Sequence, residues 1–195
     1  MEGRNHRLSS NIERVLVTED QISQRVRELG AEIEASVTTP QLTLLVLLHG
    51  SIFFAADLMR SLSLPLFLES IRVASYHGGT SSSGRLSLES VALDHLQDRD
   101  VLLVDDILDT GRTLAFVTDH LRNRIHVRSV RSCVLLEKAI PRSVEINADH
   151  VGFTIGDQFV VGYGLDYAGQ YRNLPYIGTL KPEITAGANG NDSGD

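Results

Sequence analysis

Val101-Leu-Leu-Val-Asp-Asp-Ile-Leu-Asp-Thr-Gly-Arg-Thr113 is the stretch that decides the fold class. Val101 to Val104 reads as a short apolar strand that enters Asp105 and Asp106, and Gly111 ends the loop that follows. Leu114, Val117 and Leu121 then fall on one face of a helix. Strand, acidic and glycine-containing loop, helix is the arrangement of a ligand site at the carboxyl edge of a parallel sheet. The hydroxyls of Thr110 and Thr113 and the backbone N–H groups of a helix start suit a phosphate. Gly111 permits close backbone approach. Asp105 and Asp106 do not favour a phosphate directly, but accept hydrogen bonds from sugar hydroxyls or meet magnesium through water. Each acid taken singly reads as a solvated loop residue, and Asp109 as a turn cap. Taken together, three carboxylates and two threonines in one loop suit a phosphorylated sugar with a polyol face. The loop matches neither Gly-x-x-x-x-Gly-Lys-[Ser/Thr] nor Gly-x-Gly-x-x-Gly, so an ATP-hydrolysing P-loop and a dinucleotide fold are set aside.

Working outward, Thr18 and Gln21 have capping-box spacing, and Ile22, Val26, Leu29 and Ile33 recur at helical intervals. These predict a helix over 19–36. Leu42 to Leu48 is nearly continuously apolar and bounded by His49 and Gly50, which predicts a buried central strand. A glycine turn then leads into a helix carrying Phe53, Phe54, Leu58 and Leu62. Leu66 to Ser75 reads as a second strand with Phe67, Glu69, Ile71 and Val73 on one side. From Tyr76 to Arg85 the chain turns to His, Gly, Thr and Ser, a polar loop suited to movement. Leu86 to Val91 returns from it as a strand, either as a long hairpin over a ligand or as simple surface looping. Val127 to Leu136, Val151 to Ile155 and Phe159 to Tyr163 are further strand candidates. Pro182 onward is rich in Gly, Asn and Asp and reads as a loose tail. The expectation is an α/β domain built on a mostly parallel sheet, with an irregular region near its carboxyl end. One domain is expected over 12–183, with an N-terminal segment 1–11 and a flexible tail 184–195.

Composition narrows the function classes. With 42% hydrophobic and 22% charged residues in 195, the chain sits among ordinary globular proteins. A net charge of -7 opposes nonspecific binding to nucleic acid or an anionic membrane, so neither is expected as a partner. Arg122, Arg124, Arg128 and Arg131 lack the aromatic platform of an RNA site and read as a solvated face or subunit contact. Cys133 is the only cysteine, which rules out an internal disulfide and fits a reducing compartment. Its apolar neighbours make it a buried structural thiol. Met1 to Asn11 is polar and basic without an apolar stretch, and no run approaches a membrane span, so a cytoplasmic location is expected.

Val104-Asp-Asp-Ile-Leu-Asp-Thr-Gly-Arg-Thr113 resembles the 5-phosphoribosyl 1-diphosphate motif of the type I phosphoribosyltransferases. The chain from about residue 12 to 183 is similar to the hypoxanthine-guanine phosphoribosyltransferase family, with several motifs in the expected order. The resemblance implies the type I fold, a mostly parallel central sheet flanked by helices with a small hood region. It implies that Asp105, Asp106, Asp109, Thr110, Gly111, Arg112 and Thr113 hold the ribosyl donor. Leu48, His49, Gly50 and Ser51 look like the diphosphate loop, often built with a strained or cis peptide, and Arg172 like a diphosphate-binding arginine. His49 departs from the lysine often found there and removes a permanent positive charge. Ser75 and Tyr76 resemble the start of the family's flexible catalytic loop.

For the base, the resemblance implies contacts from Ile107, Lys138, Phe159, Val160, Leu165 and Asp166, with Lys138 on the exocyclic oxygen, Phe159 stacking and the Val160 backbone hydrogen-bonding. Magnesium is the implied cofactor, met by Asp105, Asp106 and Asp166. Asp109 is the expected proton acceptor at purine N7. The expected partners are 5-phosphoribosyl 1-diphosphate and a 6-oxopurine, hypoxanthine before guanine, in a homodimer or homotetramer. The alternatives are a xanthine-preferring enzyme and a nucleotide-sensing RNA-binding regulator of the same fold.

Overall fold

The computed structural model describes residues 6–76, 85–88 and 92–186. Their contacts group into two compact units. One comprises residues 25–157, the other the described residues up to Gln24 and from Gln158 onward.

The chain opens with α1 (His6–Ser9), β1 (Ile12–Val17) and α2 (Glu19–Ser36). The predicted capping box is formed: Gln21 N–H donates to Thr18 Oγ1 at 3.3 Å and Thr18 N–H to Gln21 Oε1 at 2.9 Å. Ile22, Val26, Leu29 and Ile33 are all buried, so the helical stripe is the core face. Then come β2 (Leu42–Leu47), α3 (Ile52–Ser61), β3 (Leu66–Ile71), β4 (Val73–Tyr76) and β5 (Arg85–Leu88). They are followed by β6 (Asp100–Leu108), α4 (Arg112–His120), β7 (Ser129–Lys138) and β8 (His150–Ile155). The chain closes with β9 (Ile177–Leu180) and α5 (Pro182–Ala186). A 3-10 turn at Asp94–Leu96 precedes β6, and a π-helical turn at Leu121–Ile125 extends α4.

Within residues 25–157, five strands form one parallel sheet in the order β3-β2-β6-β7-β8. Every residue of β2 is buried, as are Val101 to Val104 and Cys133 to Leu136. This burial on both faces explains why the central strands read as continuous apolar runs rather than alternating ones. Leu114, Val117 and Leu121 pack with Leu45, Leu47, Leu103 and Val134 in one cluster. From β2 the chain adds β3 on one side and then β6 on the other. The direction of winding therefore reverses at the β2/β6 pair, and the crevice outside the carboxyl ends of these two strands is where such sheets bind ligands.

Three expectations are corrected. The strand beginning at residue 101 does not stop at Val104: β6 runs to Leu108, because Asp105, Ile107 and Leu108 continue the ladder opposite Val134, Leu136 and Glu137. The strand over 66–75 is two strands, broken at Arg72, where the chain leaves the sheet and β4 pairs antiparallel with β5. Phe67 is 43% exposed, since β3 is an edge strand, and its ring carries the Arg99 guanidinium 4.5 Å from its centroid. Phe159 to Tyr163 is not a strand. Val161 makes an isolated bridge to Gly178, and Gly162 (φ 101°) and Tyr163 (φ 48°) then turn the chain through left-handed conformations.

The returning strand is β5, and residues 89–91 of its expected range lie outside the described residues, as does the loop over 77–84. Of the tail expected over 184–195, residues 184–186 lie in α5, and the residues beyond lie outside the described ones. The antiparallel pair β1 and β9 was not anticipated. It belongs to the smaller unit with a cluster of Val161, Tyr171, Leu174 and Leu180. Cys133 is fully buried, and burial pushes its thiol well above the usual range, with the nearby Glu32 charge adding to the effect. It is the inert structural thiol expected.

Candidate active site

Parallel pairing brings the loop after β2, the acidic end of β6 and the end of β7 to one edge of the sheet. The loop after β2 is anchored at each side: Leu48 N–H donates to Ile71 O at 2.9 Å, and Ile52 N–H to His49 O at 3.3 Å. Ser51 is fully buried and its hydroxyl donates to the Leu47 carbonyl. The Leu48–His49 peptide is cis, the conformation expected for a diphosphate loop. His49 is exposed and Gly50 buried. A Cβ added at Gly50 would stand 1.6 Å from Asp106 Oδ2 and 2.5 Å from its Cγ. The 48–51 loop and Asp106 therefore meet directly, and a side chain at residue 50 would displace the Asp106 carboxylate.

Asp105 is 8% exposed, and its Oδ1 accepts the N–H of Asp106 at 2.9 Å. Burial raises its pKa well above the usual carboxylate range, and the neighbouring Asp106 charge pushes the same way. Two adjacent carboxylates that resist simultaneous ionisation are a donor set that a divalent cation stabilises, so the pair fits the metal the motif implies. Among the described residues no group of three or more His, Cys, Asp or Glu side chains is gathered to hold an ion. Two carboxylates are a set that would suit magnesium, whose remaining ligands would then be water and substrate oxygens.

Gly111 takes φ 81° immediately before α4, and Ala115 N–H donates to its carbonyl at 3.0 Å. Thr110 and Arg112 are exposed and Thr113 is half-buried. The helix start thus presents its N–H groups beside threonine hydroxyls, as a phosphate requires. Ile107, half-buried, lies one residue before the end of β6.

Asp109 follows β6 directly, and its Oδ2 lies 3.2 Å from Lys138 Nζ at the end of β7. Lys138 also contacts Asp157 Oδ1 at 3.2 Å. Burial works against the ammonium charge, but the hydrogen bonds and attraction of Asp109 and Asp157 outweigh it, and the pKa of Lys138 is raised. The lysine stays cationic across the neutral range. Asp157 was missed in the sequence, where nothing but its nearness to Phe159 set it apart.

Phe159, Val160, Leu165, Asp166 and Arg172 lie in the smaller unit. Phe159 is 53% exposed and meets Tyr167 edge-on, ring centroids 5.7 Å apart. Val160 and Leu165 are buried. Arg172 Nη2 pairs with Asp166 Oδ1 at 2.7 Å, and its Nη1 donates to Gly164 O at 2.6 Å. Gly169 N–H donates to Asp166 Oδ2 at 2.8 Å. The expected metal ligand and the expected diphosphate arginine thus hold one another across a tight turn. Ser75 and Tyr76 occupy the end of β4, opposite Leu86 and Arg85.

The sequence pattern of the phosphoribosyl transferase domain matches residues 16–168. The hypoxanthine-guanine phosphoribosyltransferase of Streptococcus pneumoniae is 42% identical over 177 residues, covering 91% of this chain and 98% of that one. The bifunctional protein TilS/HprT of Listeria monocytogenes is 42% identical over 182 residues, 93% of this chain, which spans 28% of that longer protein. A crystal structure of a hypoxanthine phosphoribosyltransferase from Staphylococcus aureus superposes with a TM-score of 0.86 at 40% identity, covering 94% of this chain and 98% of that one. The chain belongs to the phosphoribosyltransferase family, in its hypoxanthine-guanine branch.

Proposed function

We propose that the chain transfers the 5-phosphoribosyl group of 5-phosphoribosyl 1-diphosphate to N9 of a 6-oxopurine, hypoxanthine first and guanine second, giving IMP or GMP and diphosphate. The observation that carries this reading is the Asp109–Lys138 pair at 3.2 Å. A 6-oxopurine offers an oxygen at position 6 beside N7, and a cationic donor next to a carboxylate acceptor matches O6 and a protonated N7 together. A 6-aminopurine would turn an N–H donor toward the ammonium, so adenine is disfavoured. Phe159, with its exposed ring, suits stacking on the base, and the Val160 backbone, Leu165 and Ile107 complete that assignment.

In this reading Asp105 and Asp106 hold the ribose hydroxyls and the metal, with Asp166 serving a second ion. Asp109 to Thr113 receive the 5-phosphate. Residues 48–51 and Arg172 receive the diphosphate, and Ser75 and Tyr76 open the loop that closes over the reaction. Asp109 takes the N7 proton while Lys138 keeps its own and draws charge toward O6. Magnesium, when bound, neutralises charge on the departing diphosphate. Orientation of donor and base and this charge compensation supply most of the acceleration. Residues 12–183 act as one catalytic domain, and a homodimer or homotetramer in the cytoplasm belongs to the same reading. Among the described residues no helix is long and apolar enough to cross a membrane.

Hypoxanthine, the ribosyl donor and magnesium are expected to give IMP and diphosphate in equal amounts. Chelation by EDTA is expected to stop the reaction and added magnesium to restore it. Undiminished transfer in EDTA would contradict the metal assignment, and donor hydrolysis without IMP would contradict the transferase reading.

A further inference from the structure

Beyond β7 the chain bends at Ile140 and again at Ser143 and Val144, and no motif explains the segment over 142–147. Arg142 ties it down at both ends. Its Nη2 pairs with Glu137 on β7, while its Nη1 donates to Ile146 O at 2.8 Å and to Asn147 Oδ1 at 3.1 Å. Its Nε is buried and has no hydrogen-bond partner among the described residues, so the hold runs through the two terminal nitrogens. A planar guanidinium reaches Glu137 and the Ile146 carbonyl at once, whereas a lysine supplies one point of charge.

The segment so held presses on the phosphate loop. Ser143 Oγ donates to Thr110 O at 3.0 Å, and Val144 N–H donates to the same carbonyl at 3.3 Å. Ile146 Cγ2 and Val144 O lie 2.8 and 3.0 Å from where a Cβ on Gly111 would stand. The 110–111 peptide is trans, so its N–H points opposite to its carbonyl. With the Thr110 carbonyl held toward Ser143 and Val144, the Gly111 N–H faces the other way, toward the side a phosphate would occupy.

We propose that Arg142 is a positioning residue for the 5-phosphate: by fixing the 142–146 strap through Glu137 it orients the Gly111 N–H for the donor. The inference rests on the transferase reading above. It separates Arg142 from the base-binding residues, although Arg142 lies four positions from Lys138 in sequence.

The test is steady-state kinetics of Arg142→Lys and Ser143→Ala with hypoxanthine, the ribosyl donor and magnesium, alongside thermal melts. Arg142→Lys is expected to raise KM for the donor about tenfold and Ser143→Ala about threefold. In both, kcat and KM for hypoxanthine should stay within about twofold of wild type. Ser143 is exposed, so its variant preserves the test if Arg142→Lys folds poorly. An unchanged donor KM in Ser143→Ala, or an equal rise in KM for hypoxanthine, would overturn the assignment. A wild-type protein that forms no nucleotide would overturn the transferase reading instead, and this inference with it.

Discussion

Replacing Asp109 by asparagine is expected to slow nucleotide formation in a single turnover by about 100-fold or more. Asparagine keeps the shape of the side chain and the backbone that receives the phosphate, but cannot take a proton from N7. Lys138 would lose one carboxylate at 3.2 Å and keep the other, Asp157, at the same distance, so its place at the end of β7 should persist. Donor binding is therefore expected to change little while the chemical step fails. Loss of donor binding with normal chemistry would make Asp109 a substrate holder rather than the base. Retention of the full single-turnover rate would remove it from the reaction altogether.

The second large effect is expected from Gly50→Ala. The new methyl would stand 1.6 Å from Asp106 Oδ2, so the carboxylate has to leave its position. Because the crowded atoms belong to a side chain rather than to backbone, the fold can survive by swinging Asp106 away. The melting temperature should stay close to that of the wild type. KM for the ribosyl donor should rise about tenfold or more, equivalent to losing at least about 1.4 kcal/mol of binding. A variant with wild-type donor KM would show that Asp106 need not occupy its present position for the sugar to bind. A collapsed melt would show that Gly50 serves the fold rather than the site.

Both effects arise where the sequence was most legible. Asp105, Asp106 and Asp109 to Thr113 stand out because strand, loop and helix follow one another in a dozen residues, and the chemistry is local. The cap at Thr18 and Gln21 and the apolar run of β2 were legible for the same reason. The extent of β6 was not, because Asp105 and Asp106 look like loop residues until Val134 and Leu136 are known to lie beside them. Similarly, β1 and β9 pair residues far apart in sequence, Ile12 with Leu180, and four residues such as Ile177–Leu180 carry too little periodicity to announce a strand. Phe159 to Tyr163 misled in the other direction. Its apolar residues suit a strand, but Gly162 and Gly164, at φ 101° and 104°, serve a turn.

The site shows the same division. Lys138 was singled out, yet its contact with Asp109 depends on β6 and β7 being neighbours, and its contact with Asp157 on β8 lying next to β7. Glu137 and Arg142 carried no signal at all, because their role depends on a strap that returns to the phosphate loop. The pairing of Asp166 with Arg172 places two residues expected to serve separate ligands in one ion pair.

The most direct measurement offers hypoxanthine, guanine, xanthine, adenine and uracil separately to the protein with the ribosyl donor and magnesium, and follows nucleotide and diphosphate. The Asp109–Lys138 pair predicts product from hypoxanthine and guanine and none from adenine or uracil. No product from any purine, or product from uracil alone, would contradict it.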